Sequence, residues 1–496
     1  MEKKLLKNDL SRRTFIKGAA LGAGAIAVAG IGVARDAHAL PQPKKWNKDF
    51  DVVVLGGGAA GFCAAIEARK AGAKVVLLEK QPVTGGSSAI CGGQIAFAPT
   101  AFQKEKGIND STDLFFKDMM AIGKNKNDPE LVRAYVDASN DSYEFLKALG
   151  VKFNDIKIYA GFSAPRSHAT NPGDLMATLR KEAVKQGVEI MMQTAGKRLY
   201  TNPAGRVVGI KAEGRGKKEF NIKARRAVIL TTGGFARNTE MMNEFGSLPM
   251  DLAIPVAAPG TTGDGHKMGF EVGAGTKNMG IGLAPGVLPS CPIEIESKLI
   301  CMPNYEGAIV VNKEGKRFVK ESISYNDLST VGLKQPDGIM IMIADEPIVK
   351  ASPWVKNCVV KKAETLAELA GMLGLKPEAL VAEVEKYNGY VTAGNDPDFG
   401  RNTLVGTSGK PVQIKTPPFY GYITRTGILS TKGGLSIDKD GHLVNVFGEV
   451  IPSIYAAGEI TGGVHGAGYH TGSQLGKAVV IGRIAGKNAA GEKAWG

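Results

Sequence analysis

The stretch from Asp49 to Glu79 reads DFDVVVLGGGAAGFCAAIEARKAGAKVVLLE. Residues 51–55 form a short apolar run typical of a buried strand, and the glycine turn after it leads into a predicted helix over residues 62–71. A second apolar run, residues 74–78, predicts the next strand, which ends at the acidic Glu79. This order of strand, glycine turn, helix, strand and acid is the unit of a dinucleotide-binding fold.

The glycines of this turn have separate physical roles in such a unit. Gly56 permits the tight turn, Gly58 lets the backbone approach a pyrophosphate, and Gly61 permits close packing of helix and strand. The helix N-terminus offers free N–H groups to phosphate oxygens, and Glu79 can accept hydrogen bonds from a ribose diol. A GxGxxG motif alone is weak evidence, but here strand, helix and acid stand at the expected spacing.

A second glycine turn follows the acid and indicates which dinucleotide binds. The run that begins at Lys80 reads KQPVTGGSS, and Cys91 with two further glycines comes soon after it. NAD enzymes of the doubly wound class do not need this element, whereas flavoproteins with two dinucleotide-binding folds use such a turn beside the flavin end of FAD. A mobile surface loop is the alternative interpretation. The sequence therefore predicts FAD as the cofactor.

Length and composition narrow the class of protein. At 496 residues the chain exceeds the usual size of a single hydrophobic core, which predicts two or three domains. The five cysteines include no CxxC and no CxxCH, so no zinc site and no covalently attached haem is expected, and electrons must come from a separate protein or small molecule. Basic residues are scattered, which argues against nucleic acid as a partner. The net charge of +14 fits either a solvated basic surface or steering of an acidic redox partner.

Residues 1–39 are predicted to be an export signal rather than part of the fold. SRRTFIK at residues 11–17 is a twin-arginine motif, an apolar run follows at residues 18–33, and AHA at residues 37–39 has the form of a cleavage site. The apolar run is too short and glycine-rich for a membrane span, although a retained anchor is an alternative. Because the twin-arginine route carries folded proteins, the mature protein is predicted to work in the periplasm.

The remaining chain predicts an α/β fold with an insertion. Residues 48–280 and 431–496 are expected to form the two parts of a Rossmann-like FAD domain with two dinucleotide-binding folds. Residues 281–430 are expected to form an inserted α+β clamp domain that covers the cofactor. Proline-rich connections, new strands and a helix opened by the capping box from Thr365 to Glu368 mark this insertion.

These pieces together resemble the fumarate reductase/succinate dehydrogenase flavoprotein superfamily, including periplasmic fumarate and urocanate reductases and the 3-ketosteroid dehydrogenases. The resemblance covers essentially all of the chain after residue 48. It implies that FAD exchanges a hydride at N5 with a carbon–carbon bond next to an electron-withdrawing group, while a mobile clamp domain closes over the substrate. Its motifs are GGGAAG at 56–61, GGSS at 85–88, RSH at 166–168, TTGGF at 231–235, GDG at 263–265, GKRFVKE at 315–321, KGGL at 432–435 and YAAGEITGGVHG at 455–466.

The resemblance also implies a set of cofactor contacts along these motifs. For His465, support of the surrounding glycine turn is an equal alternative, and FAD is expected to bind without a covalent link to this histidine. The predicted contacts are Gly56, Gly58, Ala59, Ala60, Gly61, Glu79, Lys80, Gly85, Gly86, Ser87, Ser88, Gly92, Gly93, Ala195, Thr232, Gly233, Asp264, Gly458, Glu459, His465, Ser473, Gln474 and Leu475.

Departures from the fumarate reductase pattern argue against fumarate as the substrate. Those enzymes place a proton-donating arginine shortly after the GKRF segment, and Tyr325 occupies that place here. Their Thr-Glu pair and arginine fall near Ile300, Cys301 and Asn304, and a later arginine falls at Tyr469. A dicarboxylate needs bidentate cationic anchors, which these residues do not supply.

The tyrosine after the GKRF segment resembles the ketosteroid dehydrogenase branch, whose phenol exchanges a proton with the substrate. A buried structural tyrosine is the alternative for Tyr325. Negative charge on the substrate carbonyl oxygen requires donors, and the Gly472 N–H and the Tyr469 hydroxyl are predicted to supply them. Arg166 and His168 are also predicted as catalytic residues, with packing roles as alternatives.

The sequence thus predicts a periplasmic FAD-dependent oxidoreductase that acts on a carbon–carbon double bond conjugated to a carbonyl. A separate cytochrome or quinol-linked donor is expected to supply electrons, and no stable membrane span is expected after signal cleavage. A ketosteroid-type dehydrogenase and a flavin electron-transfer subunit without a substrate are the alternatives. His470 is expected to line the pocket, and Arg401 and Arg425 are candidates for a single carboxylate anchor or for surface salt bridges.

Overall fold

A computed structural model describes residues 39–159, 161–246, 249–280, 286–292, 302–352, 355, 360–405 and 409–495, with the backbone alone at 286–292. Nearly all of the predicted export signal lies outside these residues. Within them, the helices are too short or too polar for a membrane crossing.

The regular elements alternate between strands and helices along most of the chain. The strands are β1 Leu40–Pro41, β2 Lys48–Leu55, β3 Val75–Glu79, β4 Gln94–Ala96, β5 Asp155–Lys157, β6 Ser167–Ala169, β7 Glu189–Met192, β8 Ala195–Thr201, β9 Val207–Glu213, β10 Glu219–Leu230, β11 Ile254–Pro255, β12 Thr276–Lys277, β13 Gly286–Pro292, β14 Ile309–Val311, β15 Ile339–Asp345, β16 Lys361–Ala363, β17 Phe419–Ser430, β18 Gly434–Leu435, β19 His442–Val444 and β20 Val450–Ala456. The helices are α1 Ala59–Lys70, α2 Gly86–Ile90, α3 Ala101–Glu105, α4 Thr112–Ile122, α5 Pro129–Asp137, α6 Ser139–Ala148, α7 Pro172–Lys185, α8 Thr239–Phe245, α9 Asp264–Glu271, α10 Tyr325–Gly332, α11 Glu346–Ala351, α12 Leu366–Met372, α13 Pro377–Ala393 and α14 Ser473–Gly491.

The larger sheet contains the dinucleotide-binding unit. Its strands run in the order β1-β8-β9-β10-β2-β3-β7, and β20 pairs with both β10 and β19. β10 is parallel to β2 and to β20, and β2 is parallel to β3, so the carboxyl ends of four strands lie at one edge. Every residue of β3 is buried, as is typical of a parallel strand covered on both faces.

The C-terminal helix α14 packs closely on α1. A Cβ atom at Gly482 or Gly486 would clash with the carbonyl oxygens of Ala60 and Ala64. These two glycines are four residues apart and therefore lie on one helix face, which lets the two backbones approach each other. The contact places the N-terminus of α14 at the same edge of the sheet as the glycine turn.

The second sheet has a hydrophobic core of its own. Its order is β11-β17-β15-β14, and β13 and β16 also pair with β17. Apolar residues of these strands pack with residues of α12 and α13, including Leu369, Leu380 and Val384. β11 joins this sheet although it precedes residue 281, where the inserted domain was predicted to begin. The predicted capping box at Thr365 is confirmed, since its hydroxyl accepts from the Glu368 N–H at 3.2 Å.

One predicted helix is divided in two. The N-cap residue Asp128, the proline and acid that follow it and the later Gly150 predict a single helix, whereas the structure has α5 and α6, separated at Ala138. Ser139 fixes this break, because its hydroxyl donates to the Ala98 carbonyl at 2.8 Å and accepts from the Ala98 N–H at 3.2 Å.

Candidate active site at the carboxyl edge of the larger sheet

A cavity of about 910 Å³ lies beyond the carboxyl ends of β2, β3, β10 and β20. It extends along the first glycine turn, past the GGSS segment, to the N-terminus of α14, and residues just before β14 and on α10 cover its other side. Open α/β sheets bind ligands at this edge, because the turns that follow parallel strands meet there.

Most of the predicted cofactor contacts line this cavity. Those that do are Gly56, Gly58, Ala59, Ala60, Glu79, Lys80, Gly86, Ser87, Ser88, Gly92, Ala195, Thr232, Gly233, Asp264, Gly458, Glu459, Gln474 and Leu475. The predicted contacts that lie behind the cavity wall are Gly61, Gly85, Gly93, His465 and Ser473.

The first glycine turn has the geometry that a bound pyrophosphate requires. Gly56 has a φ of 113°, and a Cβ on it would clash with the Thr231 carbonyl. A Cβ on Gly61 would clash with the Gly56 carbonyl, so Gly61 serves packing and does not contact the cofactor directly. A Cβ on Gly58 would meet nothing closer than the Ser88 hydroxyl at 3.7 Å, because this glycine faces the open cavity. The start of α1 borders the same space, and the Ala59 N–H there donates to the Ser88 hydroxyl at 3.2 Å.

Two acidic residues at the end of the cavity near β3, Glu79 and Asp264, make hydrogen bonds that stabilise the cavity wall. Glu79 accepts from the Gly57 N–H at 2.9 Å and from the Gln81 N–H at 2.8 Å, which fixes its carboxylate at the cavity edge. Lys80 donates to the Asp264 carboxylate at 2.6 Å, and this partner helps to keep the pKa of Asp264 low against the effect of burial. The sequence predicted Lys80 and Asp264 as separate cofactor contacts but did not predict the ion pair between them.

His465 lies behind the glycine turn rather than on the cavity. The side chain is buried, and its Nε2 lies 2.8 Å from the Ser473 hydroxyl, which in turn donates to the His470 carbonyl. Burial holds the pKa of His465 well below its usual value, so the ring is neutral. These contacts favour the alternative role of His465 as support of the glycine turn, and Ser473 takes part in the same hydrogen bonds.

Tyr325 faces the cavity from the side of the second sheet. It is the first residue of α10, which the Ser324 hydroxyl caps by accepting from the Asp327 N–H. The Tyr325 hydroxyl lies 3.3 Å from the Thr471 hydroxyl, on the segment that leads into α14. Burial and the neighbouring Tyr469 raise the pKa of Tyr325 well above its usual value, so the phenol keeps its proton at neutral pH.

The two predicted oxyanion donors lie together at the start of α14. Gly472 is the N-cap residue with a φ of 87°, and its surroundings leave no space for a Cβ. Burial raises the pKa of Tyr469, while the backbone amides of Gly472 and Gln474 face its oxygen and oppose that shift. The Gly472 amide is therefore placed to act through the Tyr469 hydroxyl.

Lys432 of the KGGL motif lies just behind these groups. It is buried and donates to the Asn326 side chain at 2.9 Å, so it ties the segment after β17 to the helix that carries Tyr325. Its Nζ lies 5.8 Å from the centre of the Tyr469 ring. Burial lowers the pKa of Lys432 to about 7.

Two tyrosines and an acid that sequence reasoning missed complete this end of the cavity. Tyr159, Tyr305 and Glu306 line it together with Tyr325 and Tyr469. They come from short irregular segments, and nothing in their local sequence marks them. The proximity of four phenols was visible only after folding.

Arg166 and His168 do not lie on the cavity wall, and their contacts favour the packing roles that were the alternatives to catalysis. Arg166 is fully buried and donates to both carboxylate oxygens of Asp110, at 2.8 and 3.0 Å, and also to Asp118. His168 contacts the Thr100 hydroxyl and the Arg166 carbonyl, each at 2.8 Å. Burial lowers the pKa of His168 to about 4, so it is a neutral core residue.

The other cationic and imidazole candidates also lie elsewhere. His470 is buried with its ring stacked on Phe162 at 3.7 Å, so the expectation that it lines the pocket was wrong. Arg401 is buried and donates to the Asn304 and Ala308 carbonyls, which makes it neither a carboxylate anchor nor a surface residue. Arg425 is not on the cavity wall. Residues 300 and 301 fall outside the part that the structure describes.

Comparison with known proteins identifies the same architecture. The family described as an FAD binding domain matches residues 51–475. A fumarate reductase (cytochrome) of Shewanella frigidimarina is 35% identical over 485 residues, which cover 91% of this chain and 83% of the relative.

Two solved structures are similar over nearly the whole described chain. One is the open conformation of a flavocytochrome c3 fumarate reductase, with a TM-score of 0.80, 32% identity and coverage of 90% of this chain and 79% of that one. The other is 3-ketosteroid-delta4-(5alpha)-dehydrogenase from Rhodococcus jostii RHA1, with a TM-score of 0.75, 30% identity and coverage of 91% and 99%.

The cavity residues fit FAD. The open face of Gly58, the N–H groups at the start of α1 and the acid at the end of β3 match the needs of a pyrophosphate and a ribose. The second turn with Gly86 and Ser88 continues the cavity toward the N-terminus of α14. The chain is an FAD-dependent oxidoreductase acting on CH–CH groups, and it belongs to the fumarate reductase/succinate dehydrogenase flavoprotein superfamily.

Proposed function

We propose that this enzyme is an ene-reductase that reduces a carbon–carbon double bond conjugated to a carbonyl, with Tyr325 as the proton donor. The observation that carries the proposal is the position of Tyr325 on the cavity wall, facing the start of α14, with its proton retained by burial. A side chain placed at the reacting carbon and protonated at working pH is what general acid catalysis requires.

The residues of the chain divide the work of reduction. Bound FAD supplies the hydride, which goes to the β-carbon of the substrate. Tyr325 gives its proton to the α-carbon, and the Tyr469 hydroxyl donates a hydrogen bond to the carbonyl oxygen as negative charge develops there. The amides of Gly472 and Gln474 face the Tyr469 oxygen, and hydrogen bonds to that oxygen strengthen the phenol as a donor.

The retained proton favours the reducing direction over a ketosteroid-type dehydrogenation. In the oxidative direction Tyr325 would have to begin as a base, which requires a lowered pKa. Its surroundings do the opposite, because burial and the neighbouring Tyr469 raise that pKa. A flavin subunit without a substrate is disfavoured by the phenols of Tyr325 and Tyr469, which line the cavity beyond the glycine turns.

Fumarate is a poor candidate for the substrate. Among the residues that the structure describes, the cations on the cavity wall are Lys80, paired with Asp264, and Lys157, and no arginine lies there. Two carboxylates of a small dicarboxylate would need charged partners close to the reacting carbons. The substrate we propose is a small unsaturated carbonyl compound other than fumarate.

The proposed cellular setting is respiratory reduction in the periplasm. The twin-arginine motif at residues 11–17 supports export of the folded flavoprotein. The absence of CxxCH from the sequence supports a separate cytochrome or quinol-linked donor, and the similar fumarate reductase of Shewanella frigidimarina is named for its cytochrome.

We further propose that FAD is held without a covalent bond. The candidate for attachment in the glycine turn is His465. Its side chain is buried, forms a hydrogen bond with Ser473 and does not line the cavity. Acid precipitation of the purified protein should therefore leave all yellow colour in the supernatant. Flavin that remains with the pellet would contradict the proposal.

Steady-state assay with reduced methyl viologen tests the proposed activity. A panel of enones, enals and unsaturated acids is offered as electron acceptors, and at least one enone should be turned over faster than fumarate. If none of these acceptors supports oxidation of the reduced viologen, the protein would fit the electron-transfer subunit instead.

A further inference from the structure

The part of the cavity in front of Tyr325 is lined by several tyrosines and is here called the phenol chamber. Its wall contains Tyr159 and Tyr469 from the cofactor side and Tyr305, Glu306 and Tyr325 from the side of the second sheet. The phenols lie close enough together to influence one another, since Tyr469, Tyr305 and Tyr159 all raise the pKa of Tyr325. Aromatic rings with polar tips suit a flat, partly apolar ligand.

Glu306 is the acidic member of this chamber, and its side chain is half-buried. Its Oε2 is buried with no hydrogen bond, although the residue lines the cavity. Burial raises the pKa of Glu306 to about 7, and the described groups that oppose this are the Ser352 hydroxyl and its own backbone amide rather than a cation. The Ser352 hydroxyl is close enough to lower the pKa of Glu306, but it makes no hydrogen bond of normal geometry within the described part of the chain.

An unpartnered buried carboxyl group is costly, and a ligand can remove that cost. Leaving such a group without a hydrogen bond carries most of its desolvation penalty, so a donor supplied from the cavity is worth more here than at the surface. A second carboxylate near Glu306 would instead add repulsion. The surroundings of Glu306 therefore favour substrates that present a hydrogen-bond donor to this end of the chamber and disfavour substrates that present an anion.

We propose that Glu306 determines substrate specificity by accepting a hydrogen bond from an O–H or N–H group at the end of the substrate remote from the double bond. This inference rests on the proposed ene-reductase function and narrows it to a substrate class. The substrate is an unsaturated carbonyl compound with a flat apolar body and a hydroxyl or nitrogen donor, either neutral or cationic.

Matched enones test the inference in the complete FAD enzyme. The probes are p-hydroxybenzylideneacetone, its p-methoxy analogue, which cannot donate, and an imidazolyl analogue, which can carry a positive charge. For the native enzyme the KM of the hydroxy compound should be about tenfold or more below that of the methoxy compound, as for a hydrogen bond to a charged group. Equal KM values for the two would overturn the proposal.

Variants assign the preference to this side chain. Glu306→Met should abolish this preference by raising the KM of the hydroxy compound to that of the methoxy compound, whereas Glu306→Gln, which keeps an acceptor, should restore part of it. If Glu306→Gln loses the preference for the imidazolyl compound but keeps part of the preference for the hydroxy compound, the donor that Glu306 recognises on the substrate is cationic. Glu314 is an exposed acid in the connection between β14 and β15. As a control, Glu314→Gln should leave all KM values unchanged. A preference that survives in Glu306→Met would overturn the proposal.

A binding measurement separates this inference from the proposed reaction. p-Cresol and p-methylanisole are titrated into the oxidised enzyme while the flavin spectrum is recorded. Tighter binding of p-cresol that Glu306→Met abolishes supports the donor site even if no enone is reduced. Equal binding of the two compounds overturns it even if enones are reduced.

Discussion

The Tyr325 phenol lies in an environment that favours its neutral form. Burial is the largest influence that raises its pKa, and Tyr469 adds to it; the contact with Thr471 opposes this shift, while Tyr305 and Tyr159 make smaller contributions that raise the pKa. The residue is therefore suited to donate a proton without any prior activation. A general acid with a raised pKa stays protonated over a wide pH range.

This environment predicts the pH dependence of the reaction. A free phenol ionises near pH ~10, and an acid with that pKa would lose activity through that range. Because the pKa of Tyr325 is raised, its protonated form persists to higher pH, so the rate of flavin reoxidation by an enone should show no fall at pH 10. Stopped-flow measurement between pH 7 and the alkaline limit of folding checks this. A decline centred near neutral pH would assign the proton to another group.

Arg166 is a structural residue whose removal should affect stability rather than chemistry. Its guanidinium is buried against Asp110 and Asp118, so Arg166→Met leaves two buried carboxylates without a cation. Breaking a buried pair in this way costs roughly 3–5 kcal/mol of unfolding free energy. Denaturant unfolding measures this, and the folded fraction should keep its turnover per bound FAD.

The surface provides a matched control for this variant. Arg225 pairs with Asp49 where both side chains are largely exposed, so Arg225→Met should change stability very little. If Arg166→Met unfolds as late as Arg225→Met but has lost turnover, the residue belongs to the catalytic machinery after all.

At the scale of elements, the contact between α1 and α14 aligns the two ends of the FAD site. Gly486 lies against the Ala64 backbone, so Gly486→Val forces the helices apart and moves the start of α14 away from the glycine turn. Overpacking of a close contact costs typically about 1–3 kcal/mol. FAD affinity should fall together with the unfolding free energy, as measured by flavin fluorescence and denaturant titration.

The same helix offers a control position. A Cβ on Gly491 would meet no atom within 4 Å, so Gly491→Ala should leave FAD affinity unchanged. Unaltered FAD binding in Gly486→Val would show that the helix contact does not set the geometry of the site.

The elements that sequence reasoning predicted well are those whose signals are local. The strands around Gly56 and Glu79 and the helix capped by Thr365 follow from apolar runs, glycine spacing and a capping box, which need no knowledge of distant residues. The break at Ala138 was missed because Ala98, some forty residues earlier in the chain, fixes it through Ser139.

The site was predictable to the extent that its residues belong to motifs. Arg166 and His465 belong to motifs too, but a buried ion pair or a turn support looks the same in sequence as a ligand contact. Tyr159 and Glu306 belong to no motif, and they reach the cavity from opposite sides, Tyr159 from the segment after β5 and Glu306 from the side of the second sheet.

At the scale of the whole molecule, the active site lies between two separately packed sheets. The larger sheet supplies the FAD cradle and the start of α14, while the second sheet carries α10 with Tyr325 and the segment with Glu306. The hydrogen bond between Tyr325 and Thr471 joins the two sides at the reacting end. Chemistry therefore depends on the placement of one sheet against the other, which is the arrangement that the resemblance to clamp-bearing flavoproteins led us to expect.

Anaerobic reoxidation of the dithionite-reduced enzyme tests the central claim most directly. An enone should reoxidise the flavin of the native protein rapidly and fumarate should not. Tyr325→Phe, with normal FAD content, should react with the enone roughly two to four orders of magnitude more slowly, the usual value of a positioned acid. A Tyr325→Phe enzyme as fast as the native one, or rapid reoxidation by fumarate, would contradict the account.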